Sequence, residues 1–493
     1  MNFYYLGLKK IGIFGCILSF TFTFSLPLKA NEVNSNINSD RRDMSVCETD
    51  LKQKIDEILN TEKLRRSHWG ILVKKIDDQS TLYELNSQKY FIPASNVKLF
   101  TTAAALIKFD PNYQIKTPIY GSGSYPNLTI LKVVGKGDPT LNSQQLETLA
   151  KQLKLKGIQR IENLIVEDSS FEHQSINPTW EWEDIQFYYA TSSNKLILNE
   201  NAVVLTLTSQ EVGENLTIEW SDPIAAKQWT VDNQTITSEE NSPYSVSIHR
   251  SFERPLLTIT GSLASNSEPD IFGIAVVNSG KYFLDSLQFY LEKEGITIMN
   301  SEVIYGDNRT DNLTKIIEIQ SNPLQTIITN ANQESHNLYA ESLLNLLVDD
   351  TEENSNIDNL KQILAQLGLE ANLYHLKDGS GLSRHNLVTP TALVNLLTLM
   401  IQTPDAEIYR NSLAVGGING TLKNRFKDTV MEGKVQAKTG TLSGSSSLSG
   451  YIEPANYEQL AFSIMVNQSN LPASELRNII DQIVINLGHL KQC

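Results

Sequence analysis

Cysteine and histidine are scarce in this chain of 493 residues, which has three cysteines and seven histidines. The histidines show no metal-ligand spacing and no H-E-x-x-H string occurs, so we do not expect a zinc peptidase. Basic residues are also few, because 41 Lys and Arg face 56 Asp and Glu and the formal net charge is -15. A nucleic-acid surface needs clustered Lys and Arg, so this composition argues against a nucleic-acid partner.

Long apolar runs are missing after the first 30 residues, where no segment reaches about 18 unbroken apolar residues. The exception is the run over residues 11–26, which follows Lys9 and Lys10 and precedes a small-residue cleavage pattern at residues 28–30. This arrangement predicts a signal peptide over residues 1–30 and a secreted protein of the periplasm or cell envelope. A membrane anchor is the alternative, although the run is short for a full span. We expect no stable membrane span after processing.

The rest of the chain divides into four segments that differ in polarity and in residue periodicity. The polar residues 31–46 are typical of a flexible leader. Residues 47–115 and 315–493 have helical and strand periodicity that allows one antiparallel sheet, built from both ends and flanked by helices. Residues 116–314 hold short strand-like runs separated by turn residues, which predict inserted β-rich accessory domains. The expected fold class is therefore α+β.

The helices and strands of these segments are predicted from short stretches with helical or strand periodicity. Helices are predicted at 48–60, from Ser95 to about 107, at 143–157, 281–294 and 474–487. Strands are predicted at 69–76, 81–85, 129–134, 163–167, 203–208, 216–219, 245–249, 256–260, 274–277, 435–441, 446–452 and 460–466.

Two S-x-x-K strings occur, and their positions distinguish them. Ser95 opens an apolar helix, so Lys98 lies on the same helix face and can reach the Ser95 hydroxyl. A neutral hydroxyl is a poor nucleophile and needs a base, and Lys98 can act as one if burial or a nearby cation favours its neutral form. The second string, Ser192 to Lys195, has no helix behind it, so we assign the chemistry to Ser95.

Two further strings complete a known signature for acylation of serine by D-amino-acid peptides or β-lactams. The S-x-N string places Ser335 and Asn337 at the start of a helical pattern, where Ser335 can relay a proton and Asn337 can hold Lys98. Lys438, in the K-T-G string, can supply a cation and bind a substrate carboxylate. Gly440 permits close approach at a strand end. The alternative for the S-x-N string is a surface turn that enters a helix, and the alternative for the K-T-G string is a plain strand end.

The order and spacing of these strings carry a resemblance to a family. Ser95 and Ser335 are 240 residues apart, which is unusually long for the general signature. The chain resembles the low-molecular-mass class C penicillin-binding proteins, which are D-alanyl-D-alanine carboxypeptidases and endopeptidases. Further matching strings run from Gly137 to Leu141, from Leu198 to Asn201, from Asp378 to Arg384 and from Gly440 to Gly444. The resemblance covers about residues 48–490.

This resemblance implies a serine β-lactamase/transpeptidase-like domain interrupted by accessory domains, with no metal or organic cofactor. The implied substrates are peptidoglycan stem peptides, and β-lactam antibiotics are implied as covalent inhibitors. The implied catalytic residues are Ser95, Lys98, Ser335, Asn337 and Lys438. The implied substrate-binding residues are Thr439, Gly440 and Thr441 near the terminal carboxylate and oxyanion, and Asp138 and Arg384 at a diaminopimelic side chain.

Two residues depart from or imitate known patterns. His336 stands where relatives often have Asp, and we expect its side chain to point away from substrate while adding some pH dependence. Glu341 imitates the E-x-x-L-N string of class A β-lactamases, whose Glu activates the deacylating water. Because Glu341 follows the S-x-N string on a helix, we expect it to brace that helix.

Two rival functions stay open at this point. A β-lactamase or esterase on the same scaffold would turn penicillin over quickly, whereas a D,D-peptidase would hold a long-lived adduct. A non-catalytic peptidoglycan-binding protein would carry the motifs without turnover.

The remaining two cysteines allow a disulfide once Cys16 leaves with the signal peptide. Cys47 precedes the first predicted helix and Cys493 follows the last. If both helices pack on one sheet face, the chain ends meet, and an oxidising envelope compartment lets the thiols pair. Unpaired cysteines on flexible tails are the alternative.

Overall fold

The computed structural model describes residues 45–168, 176–306, 310–348 and 355–493. The predicted signal peptide lies outside the described residues, as does the predicted leader up to residue 44. Residues from Val46 to Cys493 belong to one compact unit. Within the described ranges, the helices are all too short or too polar to span a membrane.

The N-terminal part of the chain forms two helices and three strands. In the first helix, Leu51 and Ile55 are buried one turn apart while most of the charged side chains face solvent, as an amphipathic helix requires. The predicted helix and strands of this part are present. Their bounds are β1 Val46–Cys47, α1 Glu48–Leu59, β2 His68–Lys75, β3 Thr81–Leu85 and α2 Val97–Lys108.

The middle of the chain, the inserted body, packs around its own hydrophobic core within the same compact unit. Its elements are β4 Lys116–Ser124, β5 Asn127–Val134, α3 Ser143–Leu155, β6 Arg160–Asp168, β7 Ala202–Thr208, β8 Thr217–Trp220, α4 Pro223–Ala226, β9 Thr230–Ser238, β10 Ser247–Arg250, β11 Leu256–Ala264, β12 Asp270–Ala275, α5 Ser279–Lys293, β13 Thr297–Tyr305 and β14 Thr314–Gln320.

Three sheets build this body. A five-stranded sheet has the order β13-β6-β5-β4-β14, and two three-stranded sheets have the orders β12-β7-β8 and β10-β11-β9. The pairs β5-β6 and β6-β13 are parallel, so α3 and α5 serve as the crossover helices that parallel strands need. β14 pairs with β4, so this sheet continues to Gln320, past the predicted boundary at residue 314.

The C-terminal part supplies most of the helices around the site. Its elements are α6 Leu324–Gln333, α7 Asn337–Leu346, α8 Asn356–Leu367, β15 Tyr374–His375, β16 Leu387–Val388, α9 Pro390–Ile401, α10 Ala406–Asn411, β17 Ala414–Val415, β18 Val435–Leu442, β19 Ser445–Ile452, β20 Leu460–Asn467, α11 Ala473–Gly488 and β21 Leu490–Lys491.

Both ends of the chain share a six-stranded sheet of order β17-β18-β19-β20-β2-β3, in which every pair is antiparallel. Side chains alternate between its faces. Phe462 and Ile464 of β20 pack into the core with α1 and α11, whereas Ala461 and Met465 pack into the core with α2 and α9. The α+β class with an antiparallel sheet flanked by helices is therefore confirmed.

The chain ends meet beside this sheet. Val46–Cys47 pairs in parallel with Leu490–Lys491, and a disulfide joins Cys47 to Cys493 with a Cα–Cα distance of 5.7 Å. This distance lies in the usual range for a bridge. The disulfide predicted from the sequence is thus present in the structure.

Candidate active site

The predicted nucleophile Ser95 lies in one turn of 3₁₀ helix, Ala94–Asn96, that continues into α2. Ala94 has φ of 49°, a left-handed conformation that costs energy for a residue with a Cβ and is often found at functional sites. Gly381 lies against this turn, since a Cβ placed there would be 2.0 Å from the Ala94 carbonyl oxygen. The backbone around Ser95 is therefore held tightly by the loop that contains Gly381.

Lys98 is fully buried and its ammonium group contacts three oxygens. Lys98 Nζ donates to Ser95 Oγ at 2.9 Å, to Asn337 Oδ1 at 2.6 Å and to the Ser380 carbonyl at 2.6 Å. Three partners match the three donors of an ammonium group. The structure thus brings the S-x-x-K and S-x-N strings into direct contact.

The environment of Lys98 favours its neutral form. Burial lowers the pKa of Lys98 to about 7, against the nearby charges of Asp378 and Glu341, which act to raise it. Desolvation therefore outweighs the two carboxylates. A substantial fraction of Lys98 is neutral near pH 7, which a general base requires.

Ser335 and Lys438 form the second contact pair of the site. Lys438 Nζ donates to Ser335 Oγ at 2.8 Å and to the Thr439 carbonyl at 3.0 Å. Ser335 has φ of 60°, the second left-handed non-glycine residue among the predicted site segments. Burial and the neighbouring charge of Lys98 hold the pKa of Lys438 well below its usual range. The K-T-G and S-x-N strings are therefore adjacent.

Gly440 lets β18 lie against the segment that carries Ser95. A Cβ at Gly440 would be 2.2 Å from Ser447 Oγ and 2.7 Å from the Pro93 carbonyl oxygen. The space beside Gly440 is thus filled by protein atoms, whereas the sequence suggested that a ligand approaches there. Thr439 and Thr441 point to the opposite face of β18, because neighbouring residues alternate.

A cleft of about 490 Å³ unites these residues around the edge of β18. Its lining residues are Ser95, Ser335, Thr421, Asn424, Arg425, Thr439, Thr441 and Arg477. Four of them, Thr421, Asn424, Arg425 and Arg477, were missed by the sequence reasoning. No motif marks them, and they reach the cleft from a loop and a helix behind the sheet.

Asp378 organises the loop that holds Lys98 and Ser95. Its buried carboxylate accepts from the Gly381 and Ser383 backbone N–H groups at 2.9 and 2.7 Å and from Trp180 Nε1 at 2.9 Å. A carboxylate with several donors is well satisfied when buried. Asp378 therefore shapes the loop through these hydrogen bonds.

Glu341 holds the same loop from helix α7. Its Oε1 accepts from the Gly379 and Ser380 N–H groups at 3.0 and 2.8 Å. Burial and the charge of Asp378 raise the pKa of Glu341 to about 8. Glu341 thus braces the loop that carries the Ser380 carbonyl, in addition to its own helix.

Residues 176–201 of the inserted body contact the site. Asn337 Nδ2 donates to the Tyr189 carbonyl at 2.7 Å. His336 Nε2 lies 2.9 Å from Glu200 Oε2. The His336 side chain is therefore turned toward the insertion. Sequence reasoning missed Trp180 and Tyr189, which no string distinguishes.

Arg384 lies beside the turn that follows β18. Its Nη1 donates to the Ser443 carbonyl at 2.9 Å, and its Nε lies 2.9 Å from Glu181 Oε1. Burial raises the pKa of Asp184, and the positive charge of Arg384 acts to lower it. Tyr189 Oη donates to Asp184 at 2.9 Å, so the acidic groups near Arg384 belong to the 181–189 segment.

Asp138 occupies a different environment from Arg384. Asp138 Oδ1 accepts from the Thr140 backbone N–H at 2.8 Å and from Thr140 Oγ1 at 2.7 Å. Burial raises the pKa of Asp138 to about 6, and its charge acts on Tyr339 of α7. Among the residues that the structure describes, Asp138 and Arg384 have different hydrogen-bond and ion-pair partners.

The second S-x-x-K string is built into the inserted body. Asn194 is buried and its Nδ2 donates to Asp168 and to the Leu196 carbonyl, while Ser192 Oγ lies 3.3 Å from Ser279 Oγ. These contacts give the string a structural role.

Within the described ranges, no group of three or more His, Cys, Asp and Glu side chains is placed to hold a metal ion.

Comparison with known proteins agrees with this geometry. Residues 51–489 match the model of the D-Ala-D-Ala carboxypeptidase 3 (S13) family. The chain is 30% identical over 448 residues to the D-alanyl-D-alanine carboxypeptidase of Actinomadura sp. (strain R39), covering 86% of this chain and 82% of that protein. It is 26% identical over 461 residues to the D-alanyl-D-alanine carboxypeptidase DacB of Haemophilus influenzae, covering 90% of each.

A solved structure shares the architecture. The crystal structure of penicillin binding protein 4 (dacB) from Haemophilus influenzae superposes with a TM-score of 0.78 at 25% identity, covering 90% of this chain and 98% of that chain. The family resemblance read from the motifs is confirmed. The chain belongs to the D-Ala-D-Ala carboxypeptidase 3 (S13) family, and it is a serine-type D-Ala-D-Ala carboxypeptidase.

Proposed function

We propose that Ser95 is the acylated nucleophile and that Lys98 is its general base. The observation that carries this assignment is the 2.9 Å contact between Lys98 Nζ and Ser95 Oγ, combined with a Lys98 pKa lowered to about 7. A base is effective when its pKa lies near the operating pH. In the S-x-x-K string at Ser192, Ser192 Oγ contacts Asn194 Oδ1 and Ser279 Oγ.

In the acylation step, Ser95 Oγ forms a bond to the carbonyl carbon of the penultimate D-Ala, and its proton moves to Lys98. We assign the backbone N–H groups of Ser95 and Thr441 to the developing oxyanion, because both residues line the same cleft. Removing one such donor typically costs about 10²–10³-fold in rate.

The tetrahedral intermediate then collapses. The C–N bond breaks, and the proton passes from Lys98 through Ser335 Oγ to the leaving amine. Lys438 donates to Ser335 Oγ, so the Ser335 hydroxyl proton is left to point elsewhere, toward the leaving group. Water subsequently attacks the acyl-enzyme, and the second product leaves with a new carboxyl group.

Substrate recognition in this proposal uses the C-terminal half of β18 and the turn that follows it. Thr439 and Thr441 bind the carboxylate of the terminal residue. Beside that turn, Arg384 binds the carboxylate of a diaminopimelic side chain, and Asp184 binds its amine. We choose Asp184 over the earlier candidate Asp138, because Asp184 lies within the field of Arg384.

The proposed setting is the cell envelope, with peptidoglycan stem peptides as substrates. The N-terminal signal-peptide pattern and the disulfide between Cys47 and Cys493 support export to an oxidising compartment. A crystal structure of the Haemophilus influenzae relative is complexed with a novel beta-lactam, which supports β-lactams as covalent inhibitors here.

The test is covalent labelling followed by product analysis. Labelled penicillin should attach to the protein, and Ser95→Ala should abolish the label while Ser192→Ala, a matched serine in an S-x-x-K string, retains it. Mass spectrometry of muropeptides treated with the enzyme should show loss of terminal D-Ala. Label that survives in Ser95→Ala would contradict the assignment of the nucleophile. Rapid release of hydrolysed penicillin would contradict the peptidase assignment and favour an esterase or β-lactamase.

A second test concerns side-chain recognition. Arg384→Ala and Asp184→Asn should weaken hydrolysis of peptides bearing free diaminopimelate, and should change hydrolysis of simple acylated D-Ala-D-Ala little. Asp138→Asn is the control. Selective loss in Asp138→Asn alone would return the role to Asp138.

A further inference from the structure

Two arginines, Arg425 and Arg477, line the cleft, and they differ in their hydrogen-bond partners. Arg425 pairs with Asp481 of α11, with its Nε at 3.1 and 3.2 Å from the two carboxylate oxygens. A bidentate pair of this kind satisfies the guanidinium and cancels its charge locally. Arg425 is thus a poor candidate for binding a further anion.

Arg477 lies one turn before Asp481 on α11 and is half-buried. Its guanidinium forms no hydrogen bond or ion pair with any residue that the structure describes. The nearby Glu475 pairs with Lys63 at 2.6 Å. Burial and the charge of Arg425 lower the pKa of Arg477, and the charge of Asp481 acts to raise it. Arginine stays protonated in proteins, so Arg477 brings to the cleft a positive charge that has no hydrogen-bonded carboxylate partner among the described residues.

The surroundings of Arg477 offer neutral donors as well. Asn424 and Thr421 line the same cleft, and Thr439 Oγ1 donates to Thr421 Oγ1 at 2.9 Å. This contact makes the Arg477 region continuous with the residues proposed to bind the terminal carboxylate. A carboxylate seated beyond Thr439 would therefore meet a cation, a hydroxyl and an amide.

The size of the cleft also exceeds what a carboxypeptidase product needs. About 490 Å³ is available, which lies in the range of pockets that take drug-sized ligands. A single D-alanine fills only a small part of it. The leaving fragment of a cross-linked stem peptide is larger, and it carries carboxylates beyond the one at the scissile bond.

We propose that Arg477, with Thr421 and Asn424, forms an anion-binding subsite for a second carboxylate of the leaving peptide. The subsite selects cross-linked stem peptides, and so favours endopeptidase cleavage over release of a lone D-Ala. This inference rests on the proposed function, in which Ser95 acylation occurs in the same cleft.

The experiment compares two substrates on the full-length processed enzyme: an acylated D-Ala-D-Ala peptide and a D-Ala-diaminopimelate cross-linked muropeptide dimer. Arg477→Gln should lower kcat/KM for the dimer on the order of 10–100-fold, the effect of one charge-assisted hydrogen bond, mainly through KM. Hydrolysis of the D-Ala-D-Ala peptide should change less than about threefold on the same scale. Arg477→Lys should recover part of the dimer activity, because the charge is kept. Arg65→Gln, which alters an exposed arginine in an ion pair with Glu62, is the control.

The outcomes distinguish a failure of the Arg477 subsite from a failure of the proposed function. If the wild-type enzyme hydrolyses D-Ala-D-Ala but leaves the dimer intact, or if Arg477→Gln affects both substrates equally or neither, the subsite is refuted while the proposed function stands. If the wild-type enzyme neither binds penicillin nor hydrolyses either substrate, the proposed function itself fails. An unchanged melting temperature in Arg477→Gln excludes misfolding as the cause of a selective loss.

Discussion

The rate of Ser95 acylation should follow the titration of Lys98. Lys98 accepts the Ser95 proton only when it is neutral, so acylation should rise as pH rises through the Lys98 pKa. Burial places that pKa at about 7, whereas an ordinary lysine titrates near 10.4. The position of the transition is therefore a direct reading of how strongly the site desolvates Lys98.

The expected rise in the acylation rate distinguishes a lowered Lys98 pKa from an ordinary lysine pKa. With a pKa of about 7, the neutral fraction is about 9% at pH 6 and about 91% at pH 8, so the acylation rate should rise about tenfold and then level off. With an unshifted lysine, the neutral fraction would grow about 100-fold over the same two units and would continue to grow.

Stopped-flow acylation by a fluorescent penicillin between pH 5 and 9 measures this profile. His336 adjoins both Ser335 and Asn337 and faces Glu200, so His336→Asn is the control. The midpoint near pH 7 should persist in this variant if Lys98 governs the rate.

Two results would refute the reasoning. A log-linear rise with no plateau below pH 9 would mean that Lys98 keeps an ordinary pKa in solution. A transition that disappears in His336→Asn would mean that His336, and the contact with Glu200, controls the profile.

Three further predictions concern stability and the loop that holds the site. Replacing both Cys47 and Cys493 by Ser should lower the melting temperature but preserve penicillin labelling; a sequence separation of 446 residues corresponds to at most about 6 kcal/mol in the chain-entropy model, and an unchanged melting temperature would contradict it. Gly381→Ala should slow acylation by about 10²-fold through displacement of the Ser95 backbone, whereas Gly157→Ala, also at positive φ but with open space around it, should not. Glu341→Gln should leave the deacylation rate unchanged; accumulation of acyl-enzyme in this variant would show that Glu341 activates water.

Much of the fold could be predicted because the spacing of apolar residues within a segment indicates whether it forms a helix or a strand. Helix α1 and strands β2 and β3 have clear apolar periodicity, and the predicted bounds match within a few residues. Strand β9, by contrast, reads TVDNQTITS and has few large apolar residues, so its period is weak. Its place in a sheet depends on pairing with β11, a separate segment that leaves no signal within the residues of β9.

The same division applies to the site. The spacing of Ser95 and Lys98 on one helix already implied contact, and the motif order brought Ser335, Asn337 and Lys438 into one hypothesis. Asp138 was assigned from a matching string, and its role stays a prediction. The structure adds Glu181 and Asp184 as acidic neighbours of Arg384, which a string match cannot distinguish from other acidic segments.

By itself, the sequence determined the three motifs, the family, the antiparallel sheet built from both ends and the pair of cysteines available for a bridge. Tertiary structure alone decided the burial that lowers the Lys98 pKa, the loop of Asp378 and Glu341 that holds Ser380, and the two arginines that line the cleft. Burial, desolvation and ion pairing depend on which distant segments pack together. The sequence alone does not distinguish Arg425 from Arg477, and only the tertiary structure shows that Arg425 pairs with Asp481.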